Sequence, residues 1–374
     1  MVSQVIRYKK QIIRFILIVL FITGIYMAVD NNYRLYDKPI GTVINEGSEV
    51  VKTVKGKNNK EEIYYSQNLT LKIRNTELIG RKVEIINEYT LSQIDTTKYK
   101  KGDDLFLNIK EEKDGVLKGS ISEVKRDKYT ILLLILFAVI MVMATGKRGL
   151  LTLVTLTVNV LIFFAMIHAY VNKQDLDNML FLISGIFAAL TLFILGGIKK
   201  KSVASVISTI ITVWIVMGIY HIVYNLSDEL PYEMMEYISG PDFLEPIFRG
   251  GIILGCLGAV MDIAITINSS VHELVETTPS INLKEIYRSV SEIGHDIRGT
   301  MINVLFFTFA SGCIPMAIIK IDNGYSLLSI IQYSIVFDTI RFLMGAIGIV
   351  LAIPISSFIA VLFVMKRLVK KNAV

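Results

Sequence analysis

Long apolar runs alternate with short charged joints along most of this chain, and one stretch near the beginning departs from that pattern. A bilayer core of about 30 Å needs roughly 20 apolar residues of helix. Eight runs approach or meet that length: Phe15 to Val29, Tyr129 to Thr145, Leu150 to Val171, Met179 to Ile198, Val203 to Tyr224, Ile247 to Ser270, Thr300 to Ile319 and Phe342 to Met365. Each predicts a membrane-crossing helix. A shorter apolar stretch, Ser326 to Phe337, is too short to cross. It reads as an interfacial or re-entrant helix leading into the last span.

The departure is residues 30–128. Here apolar residues recur with a period of two in Val50 to Val54, Leu69 to Ile73, Arg81 to Ile86 and Leu105 to Ile109. Turn-forming clusters stand between them, such as Lys57-Asn58-Asn59, Lys101-Gly102-Asp103-Asp104 and Lys113-Asp114-Gly115. Strand period with regular turns predicts a small β-rich domain, a barrel or sandwich, with an OB-like barrel as one candidate. The expected organisation is an anchor over residues 1–29, a β-rich domain over 30–128 and a seven-span helical block over 129–374.

Composition agrees with the pattern. Hydrophobic residues make up 53% and charged residues 19%, with a mean hydropathy of +0.55. A soluble domain carries about 25% charged residues, so the composition argues against a water-soluble enzyme. Two cysteines are too few for a disulfide scaffold or a cysteine-built zinc site. The insert holds 19 basic and 17 acidic residues, a balance that offers nothing to nucleic acid.

Charge placement orients the spans. Basic residues precede the first run (Arg7, Lys9, Lys10, Arg14), and Tyr26-Met27-Ala28-Val29 lacks a small-x-small cleavage site. An uncleaved anchor is therefore expected rather than a signal peptide. Lys147 and Arg148 follow span two, Lys199, Lys200 and Lys201 follow span four, and Lys366, Arg367, Lys370 and Lys371 follow span eight. The loop between spans five and six is acidic, with Asp228, Glu229, Glu233, Glu236, Asp242 and Glu245. Basic loops favour the cytoplasm, so both termini are expected inside and the β-rich insert outside.

Polar residues within the apolar block are the candidate chemistry. Asp262 lies twelve residues after Gly250, about 18 Å into span six at 1.5 Å per residue. A charge at mid-bilayer costs about 2.5–3.5 kcal/mol even on the lenient insertion scale. Gly251, Gly255, Gly258, Ala259, Asp262, Thr266, Ser269 and Glu273 recur by threes and fours as one small and polar stripe. Matching stripes are Asp296, Thr300, Asn303, Phe307 and Ser311 in span seven, and Asp338, Arg341, Gly345, Gly348, Ala352 and Ser356 in span eight. Span three offers Thr152, Thr155 and Asn159, and span five Ser205, Thr209 and Thr212. Spans six, seven and eight are expected to pack closely through Gly251, Gly255, Gly258, Gly345 and Gly348, with Asp262 facing the seam. Two readings of Asp262 stand side by side. In one it is a structural hydrogen-bonding group satisfied by Asn303 or a kinked backbone. In the favoured one it binds a cation or relays a proton, with Thr266, Thr300 and Asn303 along the path. Pro315 and Pro354 each remove a backbone donor inside a span, which shapes the helix and frees a carbonyl.

The joint from Val271 to Arg298 is the second candidate region. Asn282 and Glu285 form a capping-box pattern. Leu283, Ile286, Val290, Ile293 and Ile297 then mark an apolar face, which predicts an amphipathic helix at the membrane surface. His272, Glu273, His295, Asp296 and Arg298 flank this segment as a candidate cytoplasmic gate. They lack the spacing of a metal motif on one helix face, so no metal and no cofactor is expected. Asp338 and Arg341, three apart at the outer end of span eight, are expected to pair with each other. Cys256 and Cys313 read as small core residues rather than a redox pair.

The stretch Gly250-Gly-Ile-Ile-Leu-Gly-Cys-Leu-Gly-Ala-Val-Met-Asp262 through Val271-His-Glu-Leu274 resembles the signature of the YibE/F-like bacterial membrane proteins. So does Ser289-Val-Ser-Glu-Ile-Gly-His-Asp296-Ile-Arg-Gly-Thr300-Met-Ile-Asn303. One departure is His295, where the family pattern commonly carries arginine. The resemblance covers nearly the whole chain and implies the same layout: anchor, extracytoplasmic β domain, multi-span block. It implies a bacterial cytoplasmic membrane location and suggests a transport role. The chain carries no Gly-x-x-x-x-Gly-Lys-Ser/Thr loop and no protease motif, so it is not expected to be an enzyme. A permease or carrier is expected, with a non-catalytic scaffold whose outer domain binds an envelope component as the alternative. The expected partners are the lipid bilayer, a small solute or ion, and a paired family membrane protein or a second copy of the chain.

Overall fold

A computed structural model describes residues 22–55, 61–93, 96–111, 117–171, 176–227, 230, 232, 244–278 and 281–371. Residues 15–21 of the first candidate span and its basic flank lie outside the described residues, as do Lys57-Asn58-Asn59, Lys113-Asp114-Gly115 and most of the acidic loop before Leu244. The chain folds as two compact units, Met1–Gly146 and Lys147–Val374.

In the first unit, residues 22–30 are helical, and a 3-10 turn Asn32–Leu35 leads into five strands. These are β1 (Ile40–Lys55), β2 (Glu61–Ile73), β3 (Lys82–Thr90), β4 (Asp104–Glu111) and β5 (Leu117–Val124). They form one antiparallel sheet of order β3-β2-β1-β4-β5. The outermost strands, β3 and β5, lie against each other. The period-two pattern sets which face is inside: Leu69, Leu71 and Ile73 of β2 and Val83 and Ile85 of β3 are buried, and they meet Val43, Leu105 and Leu107 in one core. Gly41 is required there because a Cβ would stand 2.7 Å from Leu107 Cδ1. Gly102 sits at φ +97° in the turn before β4, a conformation few other residues adopt.

Buried polar groups fasten this domain to the segments that enter and leave it. Asn75 is 4% exposed. Its Oδ1 accepts from Ile40 N at 2.7 Å, and its Nδ2 donates to the carbonyls of Tyr36 and Lys38, both at 2.9 Å. Lys125 is 3% exposed. Its Nζ donates to Val29 O at 3.2 Å, pairs with Asp127 at 3.2 Å and lies over the rings of Tyr33 and Tyr36. Tyr36 Oη donates to Asp127 at 2.8 Å, and Tyr33 Oη donates to Asp104 at 3.0 Å. Burial, with the Asp104 carboxylate beside it, pushes the Tyr33 phenol above its ordinary value. Lys128 Nζ meets Asp30 at 3.5 Å. The end of the helix at 22–30 and the start of α1 (Asp127–Thr145) are therefore tied together.

The second unit is helical: α2 (Lys147–Val171), α3 (Leu176–Gly196), α4 (Lys200–Leu226), α5 (Leu244–Thr277), α6 (Leu283–Asp322), α7 (Leu327–Ile330) and α8 (Val336–Lys371). With α1, and with Leu327–Val364 taken as one span, the described residues hold seven helices long and apolar enough to cross a membrane. The centre of the unit is α4, α5 and α8, each with half of its apolar window buried. The buried positions on α5 include Cys256, Val260, Ile263, Ile267 and Val271, spaced by threes and fours, so one face of the helix is committed to the core. They pack against Val213 and Val216 of α4 and Ile349 and Ala352 of α8.

Two segments differ from their sequence expectation. Residues 283–322 form one helix of 40 residues, about 60 Å long, not a surface helix followed by a separate span. The capping box is present: Asn282 Oδ1 accepts from Glu285 N at 2.9 Å and Glu285 Oε2 accepts from Asn282 N at 3.2 Å. The apolar face is spent on other helices. Ile286 and Val290 are buried in the common core, and a Cβ on Gly294 would meet Ile353 of α8 at 2.7 Å. Likewise the stretch Ser326 to Phe337 is no separate element. Ser326 caps α7, a π turn at Ile331–Ile335 follows, and the backbone runs on into α8.

The glycines divide sharply by surroundings. A Cβ on Gly348 would stand 3.0 Å from Cys256 Sγ and 3.1 Å from Val260 Cγ2. One on Gly345 would meet Leu305 of α6 at 2.7 Å, and one on Gly251 would meet Arg341 at 3.2 Å. Gly255 is looser, at 3.7 Å from Phe309, and Gly258 has nothing within 4 Å. Gly258 therefore makes no close packing, contrary to expectation, because it lies on the exposed side of α5.

Two outcomes follow for stability. Asn75→Ala leaves a buried amide and several carbonyls unsatisfied, at about 1–3 kcal/mol for each such group. Amides of β1 near Ile40 should then exchange with deuterium at least tenfold faster. Gly348→Val should lower the thermal stability of the purified protein by about 1–3 kcal/mol through overpacking. Gly258→Ala should leave it unchanged or slightly raised.

Candidate functional site

Two polar features lie on opposite sides of α5. The first is the flank carrying Asp262. Seven residues are nearly two full turns, so Asp262 shares its flank with Gly255, which faces Phe309 of α6. Gly258, Asp262 and Thr266 are all exposed on that flank. Thr266 Oγ1 donates to the Asp262 carbonyl at 2.7 Å. Among the described residues the Asp262 carboxylate itself has no hydrogen bond or ion pair. Thr300 and Asn303 on α6 are exposed as well, and Thr300 Oγ1 donates to Ile297 O at 2.8 Å. No bond joins Asn303 to Asp262 among the described residues. The Asn303 contact expected under the structural reading is therefore not made; the kinked-backbone alternative is untouched by it.

The second feature is a buried polar seam between α4, α5 and α8, foreseen only in part in the sequence. Ser202, Ser205, Ser208, Thr209 and Thr212 of α4 are fully buried, as is Ser356 of α8, and Asn268 of α5 is 2% exposed. Most of the hydroxyls turn back on their own helix. Ser208 Oγ donates to Ala204 O at 2.7 Å, Thr209 Oγ1 to Ser205 O at 2.9 Å and Thr212 Oγ1 to Ser208 O at 2.7 Å. Two bonds cross between helices: Ser205 Oγ donates to Ala264 O at 3.2 Å, and Asn268 Nδ2 donates to Ser208 Oγ at 3.4 Å. Small hydroxyl side chains let the helices approach closely while bonding across the contact.

Asn268 Oδ1, Ser202 Oγ and Ser356 Oγ are buried and make no hydrogen bond among the described residues. Beside Asn268 lies a void of about 10 Å³, bordered by Lys200, Lys201 and His272 on its polar side. That volume and those donors suit a single water molecule. Sequence reading placed Ser205, Thr209, Thr212 and Ser356 on polar stripes but missed Ser202, Ser208 and Asn268. The signal was present: Asn268 is the one polar residue among Ile263, Ala264, Ile267 and Val271 on the buried face of α5.

The candidate gate residues are not drawn together. His272 Nε2 meets Glu276 Oε1 at 3.2 Å, within α5. Arg298 donates to His295 Nδ1 at 2.7 Å, within α6. Glu273 and Asp296 are exposed. No group of three His, Cys, Asp or Glu side chains able to hold a metal occurs among the described residues. Asp338 and Arg341 do meet, at 2.7 Å, and Cys313 Sγ donates to the other Asp338 oxygen at 3.0 Å. Arg341 also lies over the ring of Phe248, which joins α5, α6 and α8 at that end.

A family model described as YibE/F-like protein matches residues 133–366, and one described as the YibE/F family N-terminal domain matches residues 34–124. No curated protein and no solved structure matches the chain. The two family matches fall on the helical unit with α1 and on the β sheet in turn, and with them the chain belongs to the YibE/F-like family of multi-pass membrane proteins.

Proposed function

We propose that this protein is a permease for protons or small cations, with Asp262 as the group that takes up and releases the cargo. The observation carrying this reading is the Asp262 carboxylate, deep in a spanning helix and without a bonding partner among the described residues. A structural carboxylate at such depth needs a partner to offset its cost, about 2.5–3.5 kcal/mol on the lenient scale. An unpartnered one faces a water-filled path or a neighbouring subunit instead of lipid. The buried seam of hydroxyls beside Asn268 supports the reading, because it brings polar groups into the centre of the helical unit. Pro354 supports it further: the ring removes the donor that would bond Val350 O inside α8. In this reading the membrane is the bacterial cytoplasmic membrane, Phe15 to Val29 adds an eighth span, and both termini are cytoplasmic.

The β domain favours a second reading, an outer module that binds an envelope component. The strand order β3-β2-β1-β4-β5, with the two outer strands facing each other, is that of an OB-like barrel. Beyond Thr42, β1 pairs only with β2 among the described residues, and it exposes Val50, Val51 and Val54. Exposed apolar groups on a strand arm mark a docking surface.

Reconstitution separates the two. Proteoliposomes of the wild-type protein should show proton or cation flux, and Asp262→Asn should abolish it at equal incorporation. Undiminished flux in that variant would remove Asp262 from the mechanism. Absence of flux in both, together with capture of cell-envelope material by residues 30–128 that Val51→Lys prevents, would establish the binding module instead.

A further inference from the structure

Asp262 and Asn303 stand at one depth of the helical unit yet face different ways. A Cβ on Gly255 of α5 would lie 3.7 Å from Phe309 of α6, which sets the register of these two helices. Residues 278–282 join them, so they run antiparallel. Seven residues on from Gly255 is Asp262, and six back from Phe309 is Asn303. At about 1.5 Å per residue the two differ in depth by about 2 Å. Six residues also turn an α-helix by about 240°, so Asn303 is carried from the side that meets α5 to the outer side of α6. It is exposed there with Thr300, Phe307 and Ser311.

The hydroxyls on that outer side are already engaged. Thr300 Oγ1 donates to Ile297 O at 2.8 Å, and Ser311 Oγ to Thr308 O at 2.7 Å. The Asn303 amide makes no bond among the described residues, and neither does the Asp262 carboxyl group. One lacks a donor and the other offers two N–H groups. Lipid tails can satisfy neither. Helix α1 is apolar without interruption from Ile131 to Ala144, so it holds no donor for Asp262 there. A second copy of the chain does hold one. Rotation about an axis along the membrane normal leaves every residue at its own depth. It brings Asn303 of one copy level with Asp262 of the other, and a closed pair makes the contact twice. The receiving flank is open: Gly258 and Thr266 are exposed on either side of Asp262, and a Cβ on Gly258 would meet nothing within 4 Å.

We propose that the outer side of α6 in one copy docks on the Asp262 flank of α5 in a second copy, each Asp262 carboxyl group accepting a hydrogen bond from the other copy's Asn303 amide. The polar site is then completed by two chains. The pairing rests on the depth and exposure of both side chains, and it stands whether or not Asp262 carries cargo.

Photobleaching of the fluorescently tagged full-length protein, in liposomes at a protein-to-lipid ratio too low for chance co-occupancy, should proceed in two steps. Asn303→Leu and Asp262→Leu should each raise the one-step fraction several-fold. Asp262→Asn keeps a carbonyl acceptor and should remain paired, although the permease reading has it abolish flux. In a Cys256→Ala, Cys313→Ala background, a copy carrying Gly258→Cys should cross-link to a differently tagged copy carrying Phe307→Cys. Phe164→Cys, exposed on α2, should not replace Phe307→Cys. One-step bleaching of the wild type would leave the flank to water or lipid and overturn the pair. Unchanged pairing in a folded Asn303→Leu variant, or cross-linking no better than through Phe164→Cys, would overturn this face as the interface. Undiminished flux in Asp262→Asn removes the permease reading alone, because the bleaching steps do not depend on transport.

Discussion

Close approach of α4, α5 and α8 is the constraint on which the helical unit rests. A membrane core offers no hydrophobic gain for bringing helices together, so packing and interhelical hydrogen bonds must supply the attraction. The residues at this contact fit that demand. Gly348 lets α8 settle against Cys256 and Val260, and Ser205 of α4 donates its hydroxyl to the α5 backbone at Ala264. The remaining helices attach to this triad from outside. Asn159 and Thr191 bond α2 to α3 at 3.0 Å, and Leu305 of α6 occupies the place that a side chain at Gly345 would take.

The layout was legible because it depends on length and composition alone. Runs of about twenty apolar residues have few alternatives to spanning, and the period-two stretches had to become strands. Finer features escaped for identifiable reasons. β5 was missed because Leu117, Ile121 and Val124 do not alternate strictly, and β1 was read only over Val50 to Val54 because Gly41, Asn45 and Gly47 interrupt its pattern. The break expected before Thr300 does not exist: Gly299 and the charges at His295, Asp296 and Arg298 resemble a joint, yet the backbone remains helical through them.

The candidate site was half legible. Asp262 is conspicuous in any hydropathy reading, and its depth follows from counting residues. Which flank it occupies does not, because α5 carries small residues on more than one side. The stripe read through Gly251, Gly255 and Gly258 proves to be a gradual turn from the packed side to the exposed one. Asn268 illustrates the converse. A single amide among aliphatics is easily passed over, yet its side chain makes one of the two bonds that join the buried hydroxyls of α4 to α5.

The π turn at Ile331–Ile335 has a consequence for register. A wider turn accommodates one additional residue, and each residue advances an α-helix by about 100°. The segment before the turn is thereby out of phase with the one after it. Ser334, within the turn, meets Lys320 at the end of α6 at 2.5 Å. Asp338, Gly345 and Gly348 keep the azimuth that the contacts with α5 and α6 impose. Two parts of one continuous helix thus address different neighbours, and the facing of the first part is set independently of the tightly packed second.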